Sequence, residues 1–164
     1  QILLKRHFGL TNVTIRATRA PFDRALTESG GVLVIGDTAL KAYLNRPTDA
    51  TCYDLGALWK EYTGLPFVYA LWLVNRNTVS SKRAILEKFS EALKTVHSSM
   101  LQNLSAIAER SEERKWVGSD ALVHYWRDAI QYTMSENHYA GLRTFYQNAV
   151  ELGYLVKRPL LQFD

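Results

Sequence analysis

The chain has 164 residues, of which 47% are hydrophobic and 22% charged, with a formal net charge of +4. This composition is typical of a globular protein and excludes disordered, collagen-like and coiled-coil chains. No apolar run reaches the roughly 18 residues needed to span a bilayer, so no membrane partner is expected.

The chain opens on a short helical segment. Ile2 to Phe8 follow a helical apolar pattern, and Gly9 fits a left-handed cap after the last turn. Because the apolar pattern is already running at Gln1, we expect an N-terminally truncated protein whose helix start is missing.

The next segments predict alternating strands and helices. Aliphatic and β-branched runs predict strands. The run at residues 32–35 is unbroken and ends at Gly36-Asp37, which is typical of a parallel strand covered on both faces. The next helix would begin after Asp37 as its N-cap. The predicted elements are strands at residues 13–17 and 32–35, helices at 21–29 and 38–44, and a polar loop at 45–52 that contains Pro47.

Residues 53–74 carry the densest pattern in the chain. Leu55, Leu58, Trp59 and Tyr62 recur at i, i+3, i+4 and i+7, which predicts one apolar face of a helix. Thr63 to Pro66 end that helix, with Gly64 as its cap. Phe67 to Val74 then predict a second buried strand, in which Phe67, Tyr69 and Leu71 share one face.

Beyond residue 78 the periodicity is helical. This divides the chain into an α/β segment, residues 1–75, with a return strand at 67–74, and a helical segment, residues 76–164. The predicted helices are 81–108, 120–133 and 137–152, the last capped by Gly153, and a solvated charge run covers 109–115.

Several motifs resemble a known family. They are Ile35 to Leu40, Asp54-Leu55-Gly56 with Trp59, Thr63 to Val68 followed by Ala70-Leu71-Trp72, and downstream Gly141 to Tyr146 with Glu151-Leu152-Gly153. Together they are similar to the menaquinone-biosynthesis family of the futalosine route, and within it to the chorismate dehydratases. The resemblance is most specific between residues 34 and 72.

The resemblance implies an α/β fold like that of the two-lobed type II periplasmic binding proteins. This chain would hold most of the second lobe, with its C-terminal helices packing against a missing first lobe. It would be a bacterial, cytoplasmic protein, and a homodimer is left open.

The resemblance also implies a lyase that converts chorismate to 3-[(1-carboxyvinyl)oxy]benzoate by loss of water. That chemistry needs no redox cofactor and no metal. The fragment alone would be inactive, because the family's key polar groups come largely from the missing first lobe. Two alternatives remain: the sister enzyme that makes dihydroxynaphthoate in the same route, and a two-lobed receptor or effector domain without catalysis.

The candidate substrate-binding residues are Gly36, Asp37, Thr38 and Tyr69. The first three follow a predicted strand and begin a helix, where ligands bind in open α/β sheets and helix N–H groups can hold a carboxylate. Asp37 would equally serve as a plain N-cap, and its own charge repels an anion. Thr38 is therefore the better candidate for a direct hydrogen bond. The catalytic base stays unassigned.

Other reactive residue types predict no site. The four histidines lack metal-ligand spacing, and the single cysteine, Cys52, excludes both a disulfide framework and a Cys-based zinc cage. The basic residues are scattered along the chain instead of clustered, so we expect no nucleic acid partner.

Overall fold

A computed structural model describes residues 1–46 and 49–161. Pro47 of the predicted loop and the last three residues of the predicted helical segment lie outside this range. The described residues form helices and connecting segments. The helices are α1 Ile2–Arg6, α2 Phe22–Thr27, α3 Gly36–Leu44, α4 Leu55–Thr63, α5 Arg76–Gln102, α6 Leu104–Arg110, α7 Arg114–Val117, α8 Ser119–His124 and α9 Glu136–Glu151, with a π-helical turn at Tyr125–Ala129.

The predicted α/β fold of the periplasmic-binding-protein type is wrong. No strand forms anywhere in the described residues, including the three predicted strands at 13–17, 32–35 and 67–74. The physical reason is that an aliphatic run becomes a strand only when a neighbouring strand accepts its backbone hydrogen bonds. These runs find no such neighbour in the described chain and stay without strand structure.

Helix ends are where the sequence predicts best. Gly9, Gly64 and Gly153 all take positive φ, at 67°, 72° and 75°. The amide of Leu10 donates to the carbonyl of Leu4, and the amide of Tyr154 donates to that of Ala149, both at 2.8 Å. These are the backbone bonds expected around a left-handed cap, so the predicted caps are confirmed.

Two predicted helices are interrupted. The helix predicted over 81–108 is two helices, α5 and α6, which meet at Asn103. The side-chain amide of Asn103 donates to the backbone carbonyl of Ser99 at 2.7 Å. It thereby competes for a carbonyl that a continuous helix would bond to a backbone N–H. The helix predicted over 120–133 is α8 followed by the π-helical turn, and it ends at Ala129.

The described chain divides into two compact units that do not follow chain order. The first joins Gln1–Val68 to the chain from Ser135 onward, and the second is Tyr69–Met134. In the first unit, Ile2 of α1, Trp59 of α4 and Ala149 of α9 form the buried core. In the second, Leu104, Ala108 and Leu122 bring α6 and α8 together.

No helix in the described residues is both long and apolar enough to cross a membrane.

Candidate functional site

Helix α4 is defined at both ends by the residues of the Asp54 to Pro66 motif. The Asp54 carboxylate accepts a hydrogen bond from the Ala57 amide at 2.7 Å and caps the helix N-terminus. At the other end the Gly64 amide donates to the carbonyl of Lys60 at 2.7 Å. The Thr63 hydroxyl donates to the Trp59 carbonyl at 2.7 Å and accepts from the Leu65 amide at 3.1 Å. The motif therefore fixes where the helix starts and where the chain leaves it.

An aromatic cluster lies under this helix. Trp59 is 1% exposed, and the rings of Tyr62, Phe67 and Phe145 surround it edge-on at centroid distances of 5.6–6.1 Å. Edge-to-face packing at such distances adds to the free energy gained from burial. The aromatic residues of the motif thus build the core of the first unit, as expected for large side chains that are usually buried in folded proteins.

Helix α9 packs directly on the loop that follows α4. An ideal β-carbon on Gly141 would stand 2.2 Å from the carbonyl oxygen of Pro66. Further along α9, the side chain of Asn148 makes two hydrogen bonds. Its Nδ2 donates to the Thr144 carbonyl at 2.9 Å, and its Oδ1 accepts from the Tyr62 hydroxyl at 3.4 Å. The two motifs that carry the family resemblance, one near residue 60 and one near residue 143, are therefore in contact.

One ion pair and one histidine–carboxylate contact attach the α1 segment to the same framework. Arg6 Nη2 lies 2.8 Å from Glu151 Oε2 on α9, and His7 Nε2 lies 3.5 Å from Glu61 Oε1 on α4. All four side chains are at least partly solvated, so each pair adds little stability and mainly fixes orientation.

Three predicted substrate-binding residues, Gly36, Asp37 and Thr38, form the first turn of α3. All three are exposed, and Gly36 takes a φ of 61° as the chain enters the helix. The prediction that Asp37 is the N-cap is wrong, because the helix begins at Gly36 and Ile35 is its N-cap. No side chain caps this end, so its first-turn amides are not held by a capping oxygen. Asp37 lies inside the first turn, where its negative charge interacts favourably with the positive end of the helix dipole.

Tyr69, the fourth predicted residue, belongs to the second unit. Its side chain is 70% exposed. The expected alternation of faces along 67–72 is wrong: Phe67 and Val68 are both half-buried, whereas Tyr69 and Ala70 are both exposed. A segment that is not part of a sheet has no pleat to impose a two-residue period.

Each histidine has a structural partner. His124 Nδ1 lies 2.7 Å from Asp128 Oδ2 on the exposed surface, and the His97 ring packs at a tilt against Tyr132 with centroids 5.0 Å apart. His138 Nδ1 accepts from the Ser135 amide at 3.1 Å in a capping box at the start of α9. Across the described ranges, no three His, Cys, Asp or Glu side chains gather into a group that could hold a metal ion. The i, i+4 spacing of His124 and Asp128 is the signal by which the sequence could have indicated their pair.

The Glu113 carboxylate, in the second unit, has a lowered pKa. The Ser111 hydroxyl donates a hydrogen bond to it, which stabilises the charged form and lowers the pKa of Glu113 below its usual value. Ser111 is the C-cap of α6 and Glu113 is the N-cap of α7, away from the predicted substrate-binding residues in sequence.

Comparison with known proteins places these features in a family context. The family model described as menaquinone biosynthesis matches residues 1–151. A chorismate dehydratase of Thermus thermophilus is 31% identical over 135 residues, which cover 73% of this chain and 47% of that protein. A chorismate dehydratase of Campylobacter jejuni is 39% identical over 102 residues, covering 62% of this chain and 44% of that protein. The match therefore spans slightly less than half the length of these curated relatives. No solved structure shows significant similarity to the chain.

Proposed function

The chain belongs to the menaquinone-biosynthesis family, and we propose that the whole protein is a chorismate dehydratase of the futalosine route, a hydro-lyase that acts on chorismate. The observation that carries this proposal is the identity of 31% and 39% with two curated chorismate dehydratases, in a match that covers most of this chain.

The proposed reaction is a dehydration that makes an aromatic ring. A base removes the proton from the ring carbon that bears the ether oxygen. The electron pair left behind is conjugated through the ring double bond with the ring carboxylate. The hydroxyl group on the neighbouring ring carbon then leaves, and the proton and hydroxyl together make one water. The product, 3-[(1-carboxyvinyl)oxy]benzoate, keeps both carboxylates, and its aromaticity supplies the driving force.

A protein assists this reaction chiefly by holding the two carboxylates. Hydrogen-bond donors aimed at the ring carboxylate stabilise the negative charge that gathers there during proton removal. A positioned base contributes roughly 10²–10⁴-fold more. The chain must therefore offer donors that reach a carboxylate without placing another anion beside it.

The first turn of α3 offers such donors, and Asp37 in the same turn places a carboxylate beside them. Thr38 carries a hydroxyl at an exposed helix start that no side chain caps. Amides in a first helical turn favour an anion, and the hydroxyl adds a directed donor. We propose that Gly36 lets the backbone approach a substrate carboxylate and that Thr38 donates to it. Tyr69, whose side chain is 70% exposed, is a separate proposed substrate-binding residue.

The isolated 164-residue chain should not turn over chorismate. It covers less than half of each curated relative, and none of its residues is assigned as the catalytic base. We also propose a cytoplasmic location, with which the single, exposed thiol of Cys52 is compatible.

The experiment that tests the function is an ultraviolet assay of the full-length protein with chorismate. The expected result is the spectrum of the aromatic benzoate product, formed at an unchanged rate when a chelator is present. If chorismate is left intact while a futalosine-derived substrate is consumed, the protein is the sister enzyme instead.

A further inference from the structure

An open cavity lies in the second unit, away from the residues proposed above to bind substrate. Its volume is about 430 Å³, and its lining side chains are Ile107 and Arg110 of α6, Ser111 after that helix, and Trp126 of the π-helical turn. All four belong to Tyr69–Met134, so a single compact unit forms the cavity. Small-molecule sites have volumes of roughly 300–1,000 Å³ and combine apolar walls with a few polar groups. The cavity has that size and that mixture of side chains.

The core of the second unit holds the lining residues in place. Helices α6 and α8 pack together through Leu104, Ala108 and Leu122, which are at most 2% exposed. Ile107 and Arg110 stand on α6 on either side of Ala108 in sequence, and the π-helical turn follows α8 without an intervening residue. Such turns are rare and are frequently found at functional sites. Two packed elements therefore carry the lining side chains, which favours a preformed site.

Arg110 gives the cavity a positive charge. Its guanidinium forms no ion pair within the described ranges. Glu112 pairs instead with Lys115, and Glu113 accepts a hydrogen bond from Ser111. Arg110 also lies in the last turn of α6, where its charge interacts favourably with the helix dipole, but that interaction needs none of its N–H donors. The planar guanidinium is therefore available to a carboxylate, whose two oxygens it matches.

Trp126 and Ile107 supply the apolar part of the lining. Trp126 is half-buried and Ile107 is 38% exposed, so both retain apolar surface that a ligand can cover. A flat indole ring packs well against another planar ring. The Ser111 hydroxyl already donates to Glu113, which leaves it as an acceptor toward a ligand. One cation beside one aromatic ring suits a ligand in which a planar ring bears one carboxylate.

We propose that this cavity binds a small aromatic carboxylate, with the carboxylate on Arg110 and the ring against Trp126. The single guanidinium balances the one charge of a carboxylate, whereas a phosphate group carries up to about two charges at neutral pH. This inference does not depend on which reaction the protein catalyses, because the residues proposed to bind substrate do not line the cavity.

The test is a titration of the full-length protein with sodium benzoate, followed by tryptophan fluorescence at constant ionic strength. The expected result is saturable quenching with a dissociation constant on the order of 1 mM, as is ordinary for a ligand of so few atoms. Trp126→Phe should remove this quenching, because it removes the indole that the ring covers. Sodium acetate has the charge without the ring, and benzyl alcohol has the ring without the charge. Each should bind about tenfold more weakly or worse.

Arg110→Gln should weaken benzoate binding by about 10–100-fold, which is the loss expected for a charge-assisted hydrogen bond. Arg114→Gln is the matched control, since it removes the same charge from the same unit at an exposed position that does not line the cavity. Its affinity should stay within about twofold of the unmodified protein. Arg110→Lys keeps the charge but not the planar fork and should fall between the two. Helical circular dichroism of these variants should equal that of the unmodified protein, because both arginines are exposed.

Thr38→Val should leave the Trp126-dependent quenching unchanged, which separates this cavity from the proposed substrate site. The proposal is overturned if benzoate causes no saturable quenching, if the quenching persists in Trp126→Phe, or if Arg110→Gln and Arg114→Gln bind benzoate equally well. Acetate that binds as tightly as benzoate would overturn the role of the ring. Inorganic phosphate that binds more tightly than benzoate would make the occupant a phosphoryl group instead.

Discussion

The carbonyl oxygen of Pro66 occupies the space beside Gly141 in which any other residue would place its β-carbon. The separation would be 2.2 Å, whereas real β-carbons essentially never come within 3.0 Å of such an atom. Because the clashing atom belongs to the backbone, it cannot rotate away as a flexible side chain could. Gly141 thus sets how closely α9 approaches the loop after α4.

Gly141→Ala is expected to destabilise the protein by about 1–3 kcal/mol, since α9 or the 63–66 loop must shift to admit the methyl group. Gly31→Ala is the control, because a β-carbon there meets nothing within 4 Å and its φ is not positive. Chemical denaturation of the two variants measures the difference. Equal midpoints would contradict the close contact between α9 and the loop.

Gly64→Val tests the cap at the end of α4. Gly64 has a φ of 72°, and a β-carbon there would meet nothing within 4 Å, so backbone strain is the whole expected cost. A β-branched residue in this region costs about 1–3 kcal/mol. Gly64→Asn should cost clearly less, because Asn tolerates the left-handed region. A valine variant with the same melting temperature as the unmodified protein would contradict the prediction that the cap requires glycine.

The features that depend on residues close together in the sequence were predicted well, and those that depend on distant residues were not. The caps at Gly9, Gly64 and Gly153 and the extent of α4 depend on residues a few positions apart, and all were predicted correctly. The strands at 32–35 and 67–74 failed because a strand needs a distant partner that no local pattern specifies. The contact between Gly141 and Pro66 is likewise non-local. The sequence predicted a helix from residue 38 but placed its N-cap at Asp37, two residues too late, and the substrate-binding role of this first turn stays a prediction.

Asp54→Ala should weaken the start of α4. The substitution removes the carboxylate that accepts from the Ala57 amide, and loss of such a cap typically costs about 0.5–2 kcal/mol. Asp54→Asn keeps an acceptor oxygen and should stay within a few tenths of a kcal/mol of the original. Thermal melts followed by far-ultraviolet circular dichroism compare the three proteins. An alanine variant as stable as the asparagine variant would show that the cap contributes nothing.

Trp59 offers a test of what the aromatic core contributes. Trp59→Ala should cost about 3–5 kcal/mol, because it leaves a cavity among Tyr62, Phe67 and Phe145. Trp59→Phe should cost less than half as much. The indole Nε1 is buried without a hydrogen-bond partner in the part of the chain that the structure describes, so removing it sacrifices no bond. Urea denaturation measures the free energy of unfolding of both variants. A phenylalanine variant as unstable as the alanine variant would contradict the prediction that loss of Nε1 costs no hydrogen bond.

The last prediction concerns Thr38 in the full-length protein, for which we propose chorismate dehydratase activity. If its hydroxyl donates to a substrate carboxylate, Thr38→Val removes a charge-assisted hydrogen bond worth about 1.5–3 kcal/mol. That corresponds to a fall in kcat/KM of roughly 10–100-fold, because every 1.4 kcal/mol is a factor of ten. Thr38→Ser keeps the hydroxyl and should retain most of the activity, while Thr51→Val makes the same exchange at another exposed threonine and should have no effect. The thermal midpoints of all three should agree, since Thr38 is exposed at a helix start. If Thr38→Val converts chorismate as fast as Thr51→Val, the substrate carboxylate is bound elsewhere, and the first turn of α3 is simply an uncapped helix end.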